Sequence, residues 1–303
     1  MIARAAAFLV LGASFAIFQA MASAASAKEL KVLSEKTFTG FGYPESVAYD
    51  PAEKVLYVGD FVSALKPAEK DGKGKINKVS LDGKILEKAV LPANGQTLNK
   101  PKGIWIKGRH LWVADIDSLW EFDLKTKQGK KLPLPGITYA NDVALMGNAV
   151  YVSDNRSDKI ARVAPADFLT SKSAPRVSIV YSGQSIFPNG LYPGKNGSLI
   201  LEGYQSKDKP HGIYVMAPGK QPKQMSKNIG MLDGLYRMAD GDLIVTDWVS
   251  GTVFQWNKKT GVHTLASNFK GPADLTAIPN KHGLLVIVPD LVKGELRFLQ
   301  VSK

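Results

Sequence analysis

The stretch Tyr139-Ala-Asn-Asp-Val-Ala-Leu-Met-Gly-Asn-Ala-Val-Tyr-Val-Ser-Asp154 decides the fold. It reads as a turn cluster, a short apolar strand, a Gly-Asn turn and a second apolar strand that stops at an acid. The same order recurs along the chain. Pro44 leads through Val47-Ala-Tyr49 to Val55-Leu-Tyr-Val58 and Asp60, and Pro101-Lys-Gly103 leads through Ile104-Trp-Ile106 to Leu111-Trp-Val113 and Asp115. Asn189-Gly-Leu191 precedes Leu199-Ile-Leu201 and Glu202; Asp233-Gly-Leu-Tyr236 precedes Leu243-Ile-Val245 and Asp247. The last unit runs from Pro272-Ala-Asp-Leu275 to Leu284-Leu-Val-Ile287 and Asp290. A more polar hairpin follows, as in Ile76-Asn-Lys-Val79 with its Leu81-Asp-Gly-Lys84 turn, where Asp-Gly favours a tight reversal. Six such units of four antiparallel strands, spaced by roughly 40 to 55 residues, predict an all-β, six-bladed β-propeller. The strand Leu296-Arg-Phe-Leu-Gln-Val301 is the third of its blade with little chain left, so Leu30-Lys-Val-Leu33 is expected to supply the fourth and close the ring.

Residues 1–27 fall outside this pattern. Met1-Ile-Ala-Arg4 is a basic start, Ala5 to Phe18 is apolar, and Ala22-Ser-Ala24 and Ala25-Ser-Ala27 are small-residue cleavage patterns. That is the make-up of a secretory signal peptide, too short in its apolar part for a spanning helix. The expected organisation is a leader over 1–27 and one propeller domain over 28–303, with export to the periplasm or the medium and no transmembrane segment in the mature chain. The chain has no cysteine, which excludes thiol catalysis, iron–sulfur clusters and thiolate zinc sites. Its formal net charge is +12, but the lysines scatter through hairpin tips, among them Lys125, Lys127, Lys130, Lys131, Lys258 and Lys259. No basic block with interleaved aromatics appears, so solvated loop charge is expected and nucleic acid is not a partner. The strand-end aspartates are expected to accept backbone N–H bonds from the neighbouring turns, and the five tryptophans to anchor blade packing.

Four turn clusters carry an oxygen-bearing side chain at one matched position: Glu45, Asn141, Asn189 and Asp233. Equivalent positions of successive blades ring the central channel, so two carboxylates and two amides converge there. Such hard donors suit Ca2+, Mg2+ or Mn2+ better than a soft metal. The histidines, His110, His211, His263 and His282, fall at none of the matched positions and are expected at the surface. Lys102 takes the matched position of the second unit and directs a cation toward the same channel.

In these motifs the chain resembles the superfamily of gluconolactonase, regucalcin (senescence marker protein) and the luciferin-regenerating enzyme. The resemblance covers the whole mature chain as a blade pattern. It implies that Glu45, Asn189 and Asp233 bind one divalent cation, Ca2+ first, with Mg2+, Mn2+ or Zn2+ as alternatives. It also implies that Asp233 is ligand and general base together and that Asn141 lines the substrate pocket. The family usually has an Arg two positions before that asparagine; Tyr139 stands there in this chain, and Glu45 is followed by Ser-Val-Ala where Gly-Pro and an aromatic are usual. Lys102 and Tyr139 are therefore candidates for holding a substrate oxyanion or carboxylate. The expected activity is metal-dependent hydrolysis of a lactone or ester, with a small-molecule substrate. The competing reading is a non-catalytic exported propeller that binds a ligand or partner protein through its channel face, rimmed by Lys66–Lys75 and Lys207–His211.

Overall fold

The computed structural model describes residues 29–93, 95–205 and 208–302. The expected leader lies outside the described residues, as does Lys207 of the expected rim. Described residues form twenty-four strands, here β1 (Val32–Thr39), β2 (Pro44–Asp50), β3 (Val55–Asp60), β4 (Lys75–Ser80), β5 (Ile85–Leu91), β6 (Pro101–Lys107), β7 (His110–Asp115) and β8 (Ser118–Asp123). They continue as β9 (Gly129–Pro133), β10 (Ala140–Met146), β11 (Ala149–Asp154), β12 (Lys159–Ala164), β13 (Arg176–Ser182), β14 (Pro188–Pro193), β15 (Leu199–Gly203) and β16 (Ile213–Met216). The last are β17 (Lys223–Gln224), β18 (Leu232–Arg237), β19 (Leu243–Asp247), β20 (Thr252–Asn257), β21 (Gly261–Ala266), β22 (Thr276–Asn280), β23 (Gly283–Asp290) and β24 (Glu295–Ser302).

These strands pair into six antiparallel four-stranded sheets, so the chain is a six-bladed β-propeller. Five blades are consecutive, from β2–β5 to β18–β21, and the sixth is β22, β23, β24 and the N-terminal β1. The ring closes as the sequence implied, by pairing of the two ends, with the closing strand beginning at Val32. Phe38 meets Phe298 edge-on at 4.8 Å, and the Arg297 Nε donates to Glu35 Oε1 at 2.5 Å. This pairing joins segments more than 250 residues apart in sequence and covers the edge that β24 would otherwise present.

The core is divided among the blade interfaces. One apolar cluster lies between each pair of neighbouring blades, such as Tyr57, Ile76 and Leu91 of blade 1 against Leu111, Val113 and Phe122 of blade 2. β-Branched and aromatic side chains alternating along twisted strands make this sheet-on-sheet packing possible. Trp112, Trp120 and Trp256 are buried in these interfaces as expected. Trp105 and Trp248 are partly buried: Trp105 packs against the cluster between blades 2 and 3, Trp248 against Phe61, Ala273 and Leu291, and they line separate cavities of the channel.

The strand-end aspartates clamp the turn that precedes the inner strand. Asp154 accepts the backbone N–H groups of Thr138 (2.6 Å), Tyr139 (3.0 Å), Arg156 (3.0 Å) and Ser157 (2.9 Å). Asp60, Asp115, Asp247 and Asp290 do the same in their blades. Blade 4 differs: strand pairing puts Gly203, not Glu202, opposite Pro188, and Asp158 from blade 3 binds the N–H groups of Ser185 (2.5 Å) and Phe187 (2.7 Å). His211, expected at the surface, is buried because it covers Gly203.

Replacing Asp154 by Ala removes the acceptor for four backbone donors, that of Tyr139 buried and the others part-buried; a buried donor left unsatisfied costs about 1–3 kcal/mol. The Asp154→Ala variant is expected to lose about 3 kcal/mol of unfolding free energy in urea, with little change in the slope against denaturant.

Candidate functional site

The inner strands of blades 1 to 5 depart from regular pairing at their start. Register shifts fall between Pro44 and Ser46, Pro101 and Ile104, Ala140 and Val143, Pro188 and Leu191, and Leu232 and Leu235. A bulge leaves the extra residue out of the ladder and turns its side chain away from the sheet face. The residues so released are Glu45, Lys102, Asn141, Asn189 and Asp233, and all of them line one cavity of about 190 Å³ in the channel. The matched residue of blade 6, by the bridge between Pro272 and Asp290, is Ala273, which leaves that side open. All six residues named from sequence are brought together, since Tyr139 lines the same cavity.

The residue after each bulged side chain reaches one level deeper. Asp142 and Asp274 occupy that level and line a second cavity of about 150 Å³. Gly103 makes room for the first, because a Cβ there would overlap the Asp142 carboxylate. At the far end Trp105 of blade 2 contacts Tyr192 of blade 4 at 5.5 Å between ring centroids, and Tyr192 contacts Tyr236 at 5.5 Å. Because blades 2 and 4 are not neighbours, this aromatic contact spans the channel and narrows it into a well.

Hydrogen bonds order the floor. Asn189 Nδ2 donates to Asp233 Oδ1 (3.0 Å) and to the Leu232 carbonyl (3.0 Å), while Asn141 Nδ2 donates to Asn189 Oδ1. Hydroxyls tie one blade to the next: Ser153 donates to the Asn189 carbonyl (2.6 Å) and Thr246 to the Ala273 carbonyl (3.1 Å). In blade 4 the equivalent position holds Glu202, whose two oxygens are buried without a hydrogen-bond partner among the described residues.

Charge on the floor is unbalanced. Burial, reinforced by Asp233, pushes the Glu45 carboxyl well above the usual range. Burial raises Asp233 to about 7 against the hydrogen bond from Asn189, and raises Asp142 to about 7. Asp274 and Glu202 are raised well above the usual range, again by burial and then by neighbouring carboxylates. Facing them, Lys102 is pushed down to about 8 by burial, against the attraction of Glu45. Its Nζ has no hydrogen-bond partner among the described residues, nor has Glu45 Oε2. The amine lies 4.3 Å from the Tyr139 ring centroid, and the Arg156 guanidinium lies 3.8 Å from the same ring. Tyr139 is thus a platform for two cations, a role that its sequence position alone does not reveal.

Glu45, Asn189 and Asp233 could hold a divalent cation. The floor supplies only oxygen donors, one of them an orphaned buried carboxylate oxygen, and an excess of buried negative charge that a cation would offset. Among the described residues no three His, Cys, Asp or Glu side chains gather into a metal cluster; the candidate set is two carboxylates completed by an amide.

Two features escaped the sequence pattern. In five blades the residue after the strand end forms a collar above the floor: Phe61, Asn155, Trp248 and Leu291 after an aspartate and Tyr204 after Gly203 all line the cavity. Their recurrence one position past the aspartate was the available signal. The segment expected as a polar rim, Lys66–Lys75, instead follows Leu65 and brings Pro67 over the cavity. It is latched by the fully buried Lys100, which donates to Asp71 (2.7 Å) and Ser63 (3.0 Å). Hydrogen bonds from Lys100 and Ser63 hold the Asp71 carboxyl down at about 2, outweighing its burial.

No family model matches the chain. No curated protein matches it either. Solved structures do resemble it. A provisionally assigned gluconolactonase superposes with a TM-score of 0.65 at 16% identity, covering 90% of this chain and 94% of its own. Virginiamycin B lyase from Staphylococcus aureus superposes at 0.61 with 12% identity, covering 90% and 99%. A catalytically inactive histidine-to-alanine variant of that lyase, bound to quinupristin, superposes at 0.59 with 14% identity, covering 90% and 99%. At such identities the likeness establishes the propeller fold alone.

The raised carboxyls make metal-free stability pH-dependent. Groups with raised folded values stabilise fully below their unfolded values and lose that contribution as pH climbs toward the folded ones. Metal-free protein is therefore expected to lose thermal stability between about pH 4 and pH 7. Ca2+ at about 100 times its dissociation constant should restore about 2.7 kcal/mol at neutral pH. Differential scanning calorimetry of wild type and of the Glu45→Gln/Asp233→Asn variant checks this; the variant should show a flatter profile and no response to Ca2+.

Proposed function

We propose that the protein is an exported, divalent-metal-dependent hydrolase that opens a lactone or ester in the well. The observation that carries this reading is the pair of buried, unpartnered polar groups on the floor, one an acid and one an amine, Glu45 Oε2 and Lys102 Nζ. An arrangement left unsatisfied in a site that opens on a cavity is suited to a ligand that satisfies both. Glu45, Asn189 and Asp233 would hold the cation, with Ca2+ the first choice for an all-oxygen set. When bound, it would supply a Lewis acid for the carbonyl oxygen.

The residues around it have separable tasks. Asp233, on the floor beside the place the cation would take, would accept a proton from water. Water adds to the acyl carbon, the carbon–oxygen bond to the alkoxide breaks, and the proton ends on the departing oxygen to give a hydroxy acid or an alcohol and an acid. Lys102 donates hydrogen bonds to the oxygen that gains negative charge, and Tyr139 keeps the amine in place through its ring. Asn141 fixes the Asn189 amide and presents its remaining oxygen to the substrate side.

A lyase reading, by likeness to the streptogramin-degrading propellers, finds less support. The described inactive variant of that enzyme lacks a histidine, and none of His110, His211, His263 and His282 lines either channel cavity.

The test is a panel of lactones and aryl esters assayed with and without Ca2+, Mg2+, Mn2+ or Zn2+. Hydrolysis should require a divalent cation. Asp233→Asn should lower kcat by about a hundredfold to ten-thousandfold, and Lys102→Met by about a hundredfold or more with a smaller change in KM. Metal-dependent ligand binding without turnover would make the protein a binding propeller and end the hydrolase reading.

A further inference from the structure

The wall of the well is chemically lopsided. Successive blades place equivalent residues around the mouth, so the two positions after each strand-end aspartate can be compared blade by blade. In blades 5, 6 and 1 the first of these are Trp248, Leu291 and Phe61, and the second are Val249, Val292 and Val62. In blades 2 and 3 the second positions are Asp117 and Arg156, and Gln205 follows Tyr204 in blade 4. One half of the mouth is therefore apolar at both levels, and the other half is polar at the outer level.

On the apolar half, Phe61, Leu65, Trp248 and Leu291 line the cavity together. Phe61 and Leu291 are buried against Ala273, the residue that leaves blade 6 without a polar side chain on the floor, and Trp248 packs on them. Next to them in sequence, Val62, Val249 and Val292 are between 42% and 49% exposed, and Leu65 of the latched segment, which lines the cavity, is 41% exposed. Large apolar side chains exposed together beside a cavity mark a binding surface, whereas single ones scattered over a protein need no explanation. The side chains of Phe61 and Leu291 on this side offer a sugar hydroxyl no hydrogen-bond partner.

We infer that the substrate carries a hydrophobic alkyl or aryl group, which lies along blades 5, 6 and 1 while its carbonyl reaches the floor between Lys102 and Glu45. The nature of the reacting bond rests on the hydrolase reading above; the apolar group rests only on the wall. A polyhydroxylated sugar lactone is excluded as the preferred substrate, because its hydroxyls would be desolvated against Phe61, Leu291 and Trp248 without compensation.

A graded series of 5-alkyl γ-lactones, compared with glucono-δ-lactone, tests this in the presence of Ca2+. The matching 5-alkyl pyrrolidinones, which resist hydrolysis, report binding by calorimetry. Both kcat/KM and pyrrolidinone affinity should rise about three- to fourfold per methylene until the chain passes the outer valines. Val249→Ser and Val292→Ser, both at exposed turn positions, should flatten that rise, with circular dichroism unchanged. If pyrrolidinone affinity climbs with chain length but no lactone turns over, the hydrolase reading falls and the apolar ligand stands. If lactones turn over with no dependence on chain length, or glucono-δ-lactone is preferred, the apolar group is overturned and the hydrolase stands. Absence of both turnover and chain-dependent binding overturns the two together.

Discussion

A backbone irregularity governs the chemistry of this propeller. At the start of the inner strands of blades 1 to 5, pairing slips around one or two residues, and the side chain so released points into the channel instead of into a blade interface. Regular strands would have sent these residues into the apolar clusters between sheets, where a carboxylate or ammonium has no place. The bulges let a repetitive scaffold keep a uniform core while each blade contributes a different group to the axis. Strand-end aspartates and blade-to-blade hydroxyls hold the bulges in position, through bonds such as those from Asp154 to the turn before Asn141 and from Ser153 to the carbonyl of Asn189.

From that geometry follows a concentration of like charge that the fold alone does not stabilise. Glu45, Asp142, Asp233, Asp274 and Glu202 are all pushed toward their neutral forms by burial, and Lys102 is the one cation at the floor among the described residues. Such mutual destabilisation is characteristic of sites that act on a ligand. It also separates the residues by task. Glu45, Asn189 and Asp233 lie on the level that opens to the mouth, whereas Asp142 is committed to the backbone N–H groups of Val143 (2.6 Å) and Leu191 (2.6 Å).

Much of this was legible in the sequence, for physical reasons that can be named. The repeat of turn and apolar strand survives in every blade because the interfaces demand β-branched and aromatic residues, and the same demand made the closing strand visible. The floor residues were legible because each sits at a matched place in its turn cluster. The collar was not, since a residue after an aspartate in a tight turn looks like ordinary loop; Trp248 read as a packing anchor for that reason. Glu202 was misaligned by one because blade 4 has Gly203 where the others have aspartate, and only strand pairing reveals the shift. The polar character of Lys66–Lys75 concealed a segment folded over the well, because its latch partner, Lys100, is distant in sequence.

The central claim is that Glu45, Asn189 and Asp233 share one divalent cation. Crystals grown with Mn2+ and measured at a wavelength where manganese scatters anomalously test it most directly. One strong anomalous peak per chain is expected at the well floor, within about 2.0–2.6 Å of oxygens from all three side chains. No peak there, or a peak bound only elsewhere on the surface, would contradict it.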